Sequence, residues 1–243
     1  MKVERLNAGW MTASAALWRR DDDPEERVRV PVPAYLVETD GERILVDTGL
    51  HPGACADGSA FYDGAPAMNL FSLEVDQPVH EQVDATTITR IVLTHLHYDH
   101  AGGLSLLPAS IPIVVQRREW EAGHDAGAIE RNFFFPRDYV DEEREVILVD
   151  GDHDLLGDGS VELLLTPGHT PGHQSVRVGD DLIIGADVAH YASGLDDHRF
   201  PAFADDHAEQ RRSAERLRAM RDAGANVTPG HDPDVLRPGP LTG

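Results

Sequence analysis

His95-Leu96-His97-Tyr98-Asp99-His100 follows directly on Ile91-Val92-Leu93-Thr94, and this stretch decides how the chain reads. An apolar, β-branched run ending in such a cluster predicts a strand that delivers three imidazoles and a carboxylate to one small volume. Imidazole suits zinc, copper, iron and nickel, and a mixed nitrogen and oxygen set favours a hard to borderline divalent ion. One catalytic ion keeps a coordination position open, so four such ligands are too many for it. They are a natural allotment for two ions sharing a site.

Three later elements repeat the pattern of a strand running into small or turn residues and then a ligand-capable side chain. Residues 161–165 lead into Thr166-Pro167-Gly168-His169, residues 181–184 into Gly185-Ala186-Asp187, and residues 225–228 into Pro229-Gly230-His231-Asp232. Glycine in these turns lets the backbone approach closely. Each element alone is ordinary turn chemistry; in this order after the first cluster they form a joint signal.

The HxHxDH stretch with its later His, Asp and His resembles the metallo-β-lactamase superfamily. Within it, the chain is most similar to the N-acyl homoserine lactonases, the quorum-quenching branch. The finer likeness rests on residues 33–39 with 44–49, on 94–103, on Val114-Val115-Gln116-Arg117 with Glu119, on 166–175 (TPGHTPGHQS), and on Gly230-His231-Asp232-Pro233-Asp234. It spans roughly residues 30 to 235. The resemblance implies an α/β fold, a four-layered αβ/βα sandwich with the metal site at one edge of the two sheets, and residues 1–243 as a single domain of it.

Roles carry over position by position. His95, His97 and His169 would hold the first metal, Asp99, His100 and His231 the second, and Asp187 would bridge them. The implied reaction opens the lactone ring of N-acyl homoserine lactones, or of a related lactone, through attack of a metal-bridging hydroxide, with the two ions roughly 3.5–4 Å apart. Asp99 is the leading candidate to pass a proton to the leaving alkoxide. Lactonases of this branch place a tyrosine three residues after the bridging aspartate. Here that position holds His190, and Tyr191 is the next residue. Either can donate to a developing oxyanion. The shift keeps open a second reading, a hydrolase of the same scaffold acting on a phosphoester, organophosphate or thioester. Zinc is the default for the two divalent ions, with manganese, cobalt or iron fitting the same donors. A protein on this scaffold that has lost hydrolysis is disfavoured by the intact ligand set, and a redox version by the lactonase-like flanks.

An acyl chain needs an apolar wall. Met11, Phe61, Met68, Phe71 and Tyr98 are the candidates for substrate binding, with Trp10, Leu70 and the run Phe133-Phe134-Phe135 beside them. Residues 50–80, rich in Gly, Ala and Pro, read as a long loop able to cover the site. His173 is expected to support the ligands through a hydrogen bond, and Asp47 to orient ligands or the first turn. Strands are expected at 32–38, 43–47, 90–94, 112–116, 146–150, 161–165, 175–178, 181–185 and 226–228, and helices at 85–88, 117–122 and 205–223.

Composition sets the remaining bounds. The formal net charge is −22, from 43 acidic against 21 basic residues, which opposes a nucleic-acid partner. Lys2 is the sole lysine, so no lysine Schiff base or P-loop lysine lies in the body of the chain. Cys55 is the sole cysteine, so no internal disulfide forms. The apolar run near the N-terminus is too short and broken for a leader or a membrane span, and a cytoplasmic enzyme with a small-molecule lactone substrate is the expectation. The family resemblance implies a homodimer.

Overall fold

The computed structural model describes residues 1–242. The strands in chain order are β1 (Lys2–Ser14), β2 (Arg27–Glu38), β3 (Arg43–Val46), β4 (Ser72–Glu74), β5 (Arg90–Val92), β6 (Ile113–Gln116) and β7 (Val146–Val149), followed by β8 (His153–Asp154), β9 (Val161–Leu165), β10 (Gln174–Val178), β11 (Leu182–Ile184), β12 (Asn226–Thr228) and β13 (Gly239–Thr242). The first sheet has the order β13-β1-β2-β3-β5-β6-β7, with β4 also paired to β1, and the second has the order β12-β11-β10-β9-β8. From β3 through β7 the first sheet is parallel.

Alternation along the strands explains the layering. Ile44, Val46, Val92 and Val114 share one buried cluster with Val161, Leu163, Val176, Leu182 and Ile184, which is the core between the two sheets. Their neighbours Leu45, Ile91 and Ile113 face the opposite way, into a cluster with Leu50, Leu96 and Tyr139. On the far side of the second sheet, Leu164 and Ile183 pack against Ala214 and Leu217 of the helix His207–Asp222. Successive strand residues point to opposite faces, so each sheet is buried on both sides and must be sandwiched. Two sheets face to face with helices outside both make the four layers.

The helix His207–Asp222 begins where Asp206 accepts from the N–H groups of Ala208 and Glu209, the capping expected of an acidic residue there. Its buried stripe continues the apolar residues with two polar ones, Gln210 and Ser213. The helix Arg117–Ala122 also falls where its sequence predicts it, whereas residues 85–87 make only a single 3-10 turn.

Three features of the fold depart from the sequence reading or lie outside it. β1 pairs with β2 from Lys2 opposite Glu38 to Ser14 opposite Arg27, broken by a bulge between Asn7 and Gly9. Gly9 has φ 140, and a Cβ there would stand 2.6 Å from Leu50 Cδ1, so only glycine fits the bulge. Second, residues 50–80 are not an open loop. They form the short helices Pro52–Ala56 and Gly58–Phe61, a turn at Pro66–Leu70, and β4, which docks on β1. Third, the charge run after Arg19 closes the β1–β2 connection with ion pairs: Asp22 binds both Arg19 and Arg199. Among the described residues, no helix is long and apolar enough to cross a membrane.

Candidate metal centre

The predicted ligands leave the ends of four segments on one edge of the sandwich. The turn after β5 carries His95, His97, Asp99 and His100, the last two in the short helix Tyr98–Ala101. The loop from β9 to β10 carries His169, the turn after β11 carries Asp187, and the turn after β12 carries His231. All seven side chains are buried.

They converge as two sets. His95 Nε2 lies 3.0 Å and His169 Nε2 3.1 Å from the same atom, His97 Nδ1. His97 Nε2 donates to the Asn132 carbonyl at 2.8 Å, which leaves Nδ1 as a lone pair facing the other two nitrogens. On the other side, Asp99 Oδ2 stands 3.5 Å from His100 Nε2 and 3.4 Å from His231 Nε2. Asp187 lies between: its Oδ2 is 3.4 Å from His169 Nε2 and 3.2 Å from His231 Nε2, and its Oδ1 is 3.5 Å from His100 Nε2. The donor atoms of His95, His97 and His169, and likewise those of Asp99, His100 and His231, fall within 4.8 Å of one another.

His100 Nε2 and Asp187 Oδ1 are buried with no hydrogen-bond partner. Lone pairs and carboxylate oxygens crowded together out of water are costly unless a cation gathers them. These donors fit two divalent ions sharing Asp187. Burial keeps His95 and His169 well below the ordinary histidine range and His97 at about 4, so these three imidazoles are neutral and ready to ligate. Burial also opposes a charge on His100 and His231, but Asp99 and Asp187 outweigh it and raise both. Ligation needs these rings neutral, so it would displace any proton they hold.

Several of the candidate ligands are held from behind. Val46 ends β3, and Asp47 turns into the left-handed region (φ 61) to aim its carboxylate at His100 Nδ1, 2.8 Å away. His231 Nδ1 donates to the Pro31 carbonyl at 2.8 Å. His173 accepts the N–H of Asp187 on Nε2 at 3.1 Å while its Nδ1 meets Thr166 Oγ1 at 3.0 Å, the supporting place expected of it. Gln210, in the long helix, donates to the carbonyls of Asp187 and Val188. Gly230 has no room for a side chain: a Cβ would stand 2.2 Å from Asp187 Oδ1.

An apolar cavity of about 270 Å³ opens onto these ligands, with His97, Asp99, Asp187 and His231 in its floor. Met11, Met68, Leu70, Phe71 and Tyr98 line it, as do Phe133 and Phe135. Phe61, expected on that wall, stacks instead on His51 at 4.5 Å and lies under Arg137. Trp10 carries Arg29 at 4.0 Å and is also outside the lining, and Phe134 is core beside His97. Trp18 and Phe203 line the cavity without having been foreseen. Trp18 is 2% exposed and packs on Phe71, His190 and His231. In sequence it is one aromatic residue before a charge run, with no period to place it.

The two residues after Asp187 that could face substrate separate cleanly. His190 lies on the cavity wall, its Nε2 3.1 Å from Asp187 Oδ2. Tyr191 is not among the lining residues; the Arg19 guanidinium covers its ring at 4.7 Å.

The model of the metallo-beta-lactamase superfamily matches residues 27–231, and the chain belongs to that superfamily. This makes it a metal-dependent hydrolase, and its curated relatives are named N-acyl homoserine lactonases. One, AttM of Azorhizobium caulinodans, is 29% identical over 227 residues, covering 85% of this chain and 83% of the relative. Another, AiiA of Bacillus thuringiensis subsp. kurstaki, is 32% identical over 162 residues, covering 64% of this chain and 61% of the relative. A solved structure of a B. thuringiensis AiiA mutant with N-decanoyl-L-homoserine at its active site superposes with a TM-score of 0.83 at 25% identity, covering 96% of this chain and 94% of that one.

Proposed function

We propose that this chain opens the lactone ring of N-acyl homoserine lactones, or of a closely related lactone, at the two-ion centre. The observation that carries the reading is the apolar cavity whose floor is the ligand cluster. It offers an alkyl chain a dry wall and leaves a polar ring at the metal edge. The names of the curated relatives support the same substrate class.

His95, His97 and His169 would hold one ion, Asp99, His100 and His231 the other, with Asp187 shared. Such ions supply Lewis acidity toward a carbonyl and make water acidic near neutral pH; zinc is the default, and manganese, cobalt or iron suit the same donors. The chain's own groups do the rest. Water adds to the lactone carbonyl carbon, the ring C–O bond breaks, and the water proton ends on the departing alkoxide, giving a hydroxy acid. Asp99, at the cavity floor, is placed to carry that proton. His190, also on the wall with its Nε2 against Asp187 Oδ2, would turn that N–H to the oxygen that gains negative charge when substrate enters, the task a tyrosine hydroxyl would do in the resembled family. Met11, Met68, Phe71 and Tyr98 exclude water around the acyl chain.

The histidine at position 190 also favours a second reading, a hydrolase of phosphotriesters or thioesters on the same centre. The test is kcat/KM of the metal-loaded protein on N-acyl homoserine lactones of two chain lengths, with paraoxon and an acyl thioester beside them. Lactones as the best substrates support the first reading; intact lactones with a cleaved phosphotriester or thioester replace it with the second.

A further inference from the structure

Glu119 is a carboxylate near the centre that pairs with no imidazole and no arginine, yet it is 0% exposed. It sits in the first turn of the helix Arg117–Ala122, directly after β6. Its Oε1 accepts the N–H of Leu96 at 3.0 Å, and its Oε2 accepts the N–H of Gly172 at 2.7 Å. Leu96 lies between His95 and His97, and Gly172 lies three residues after His169. One side chain therefore ties the turn after β5, in the first sheet, to the loop after β9, in the second. Those two loops supply all three nitrogens of the His95, His97 and His169 set.

Backbone packing agrees. A Cβ on Gly172 would stand 2.2 Å from the Glu119 nitrogen and 2.8 Å from its Cα, so the loop rests directly on the helix. Below the same junction, the Gln174 N–H donates to the Thr94 carbonyl, its amide donates to the Leu93 carbonyl at 2.8 Å, and its Oε1 accepts from Gln116 at 3.1 Å. The two sheets thus meet at this edge through a buried polar seam, and Glu119 is its carboxylate. A buried carboxylate is costly unless its oxygens are hydrogen-bonded, so its placement constrains both donors strongly.

We propose that Glu119 is a positioning residue for the metal centre: it sets the spacing of His169 against His95 and His97, and so fixes the geometry and affinity of that three-histidine site. The proposal rests on the metal-centre reading but not on the lactone. Glutamine at 119 keeps the shape but presents an NH2 group to one of the two N–H donors, so only one of the two loops stays tied.

The test is metal binding without substrate. Apo protein is titrated with Co²⁺, and the visible absorption of the high-affinity site is followed for the parent, Glu119→Gln, Glu119→Ala and Gly172→Ala, with far-UV circular dichroism confirming which variants are folded. Each folded variant should bind at the His95, His97 and His169 site about 10–100-fold more weakly, the range typical of losing an outer-shell partner, with an altered cobalt spectrum. The Asp99, His100 and His231 site should keep its affinity. If Glu119→Ala fails to fold, Glu119→Gln carries the same expectation. Folded variants with the parent's spectrum and affinities would overturn the proposal, as would equal weakening of both sites, which marks general loosening. A parent that binds no cobalt would overturn the metal-centre reading with it, whereas a parent that binds cobalt but opens no lactone touches only the substrate assignment.

Discussion

Asp47 Oδ2 stands 2.8 Å from His100 Nδ1, and the same carboxylate accepts both the N–H and the hydroxyl of Thr94, each at 2.8 Å. A residue at the end of one parallel strand thus sets the ring orientation of a ligand that follows its neighbour strand. Asparagine tolerates the left-handed backbone at this position, so Asp47→Asn removes the charge without adding strain. That variant should lose about 10–100-fold in affinity at the Asp99, His100 and His231 site. Isothermal titration of apo protein with zinc checks it.

His190 and Tyr191 make opposite predictions. Replacing an oxyanion donor costs roughly 10²–10³ in kcat, so His190→Ala should fall by that amount with KM little changed. Tyr191→Phe should turn over like the parent, because its ring lies under Arg19 and outside the cavity. Steady-state kinetics on one lactone separates the two residues; a large loss in Tyr191→Phe alone would reverse their roles.

Gly230→Ala places a methyl group against Asp187 Oδ1. The shared carboxylate must move, and the expected result is a folded protein that retains about one metal equivalent and little activity. Metal content after gel filtration, read by atomic emission, decides it.

Asp138, which is not among the candidate ligands, gives a pH dependence of stability. Burial pushes this carboxyl up to about 7, although the Tyr62 hydroxyl donates to it at 3.0 Å and Arg137 lies near. A carboxyl whose folded value is raised binds its proton more tightly in the folded protein than in the unfolded one. Its contribution is therefore complete below about pH 4 and is lost as pH rises through about 7. Glu119, raised to about 7 mainly by burial, shares this window, so the comparison must be made against a variant. Asp138→Asn should gain stability relative to the parent between pH 5 and about 8, by a few kcal/mol at most, in urea unfolding. A constant difference across that range would contradict it.

Much of this was legible because chemistry and strand period reinforced each other. The HxHxDH stretch follows a buried strand, and Thr166 to Ser175 spans a turn between two paired strands, so ligand and element were read together. β1 was not legible. Its sequence KVERLNAGWMTAS mixes inward Arg5 with a glycine bulge, and only its pairing with β2 makes it a strand. The β4 segment is likewise fixed by docking, being three residues long. Phe61 and Trp18 show the same limit at the site. An aromatic side chain in an aperiodic stretch carries no sign of which wall it faces, and tertiary packing put Trp18 in the cavity and Phe61 against Arg137. Glu119 was visible only as part of the family likeness, not by its role, because its two N–H partners are 23 and 53 residues away.

The most direct test of the two-ion lactonase account is a metal titration of the apo protein during turnover. Zinc or manganese is added stepwise while proton release from N-decanoyl-L-homoserine lactone is followed, for the parent and for Asp187→Ala. The account predicts that parent activity rises to saturation at two equivalents and that Asp187→Ala stays inactive at any metal level. Saturation at one equivalent, full activity in Asp187→Ala, or an intact lactone at two equivalents would contradict it.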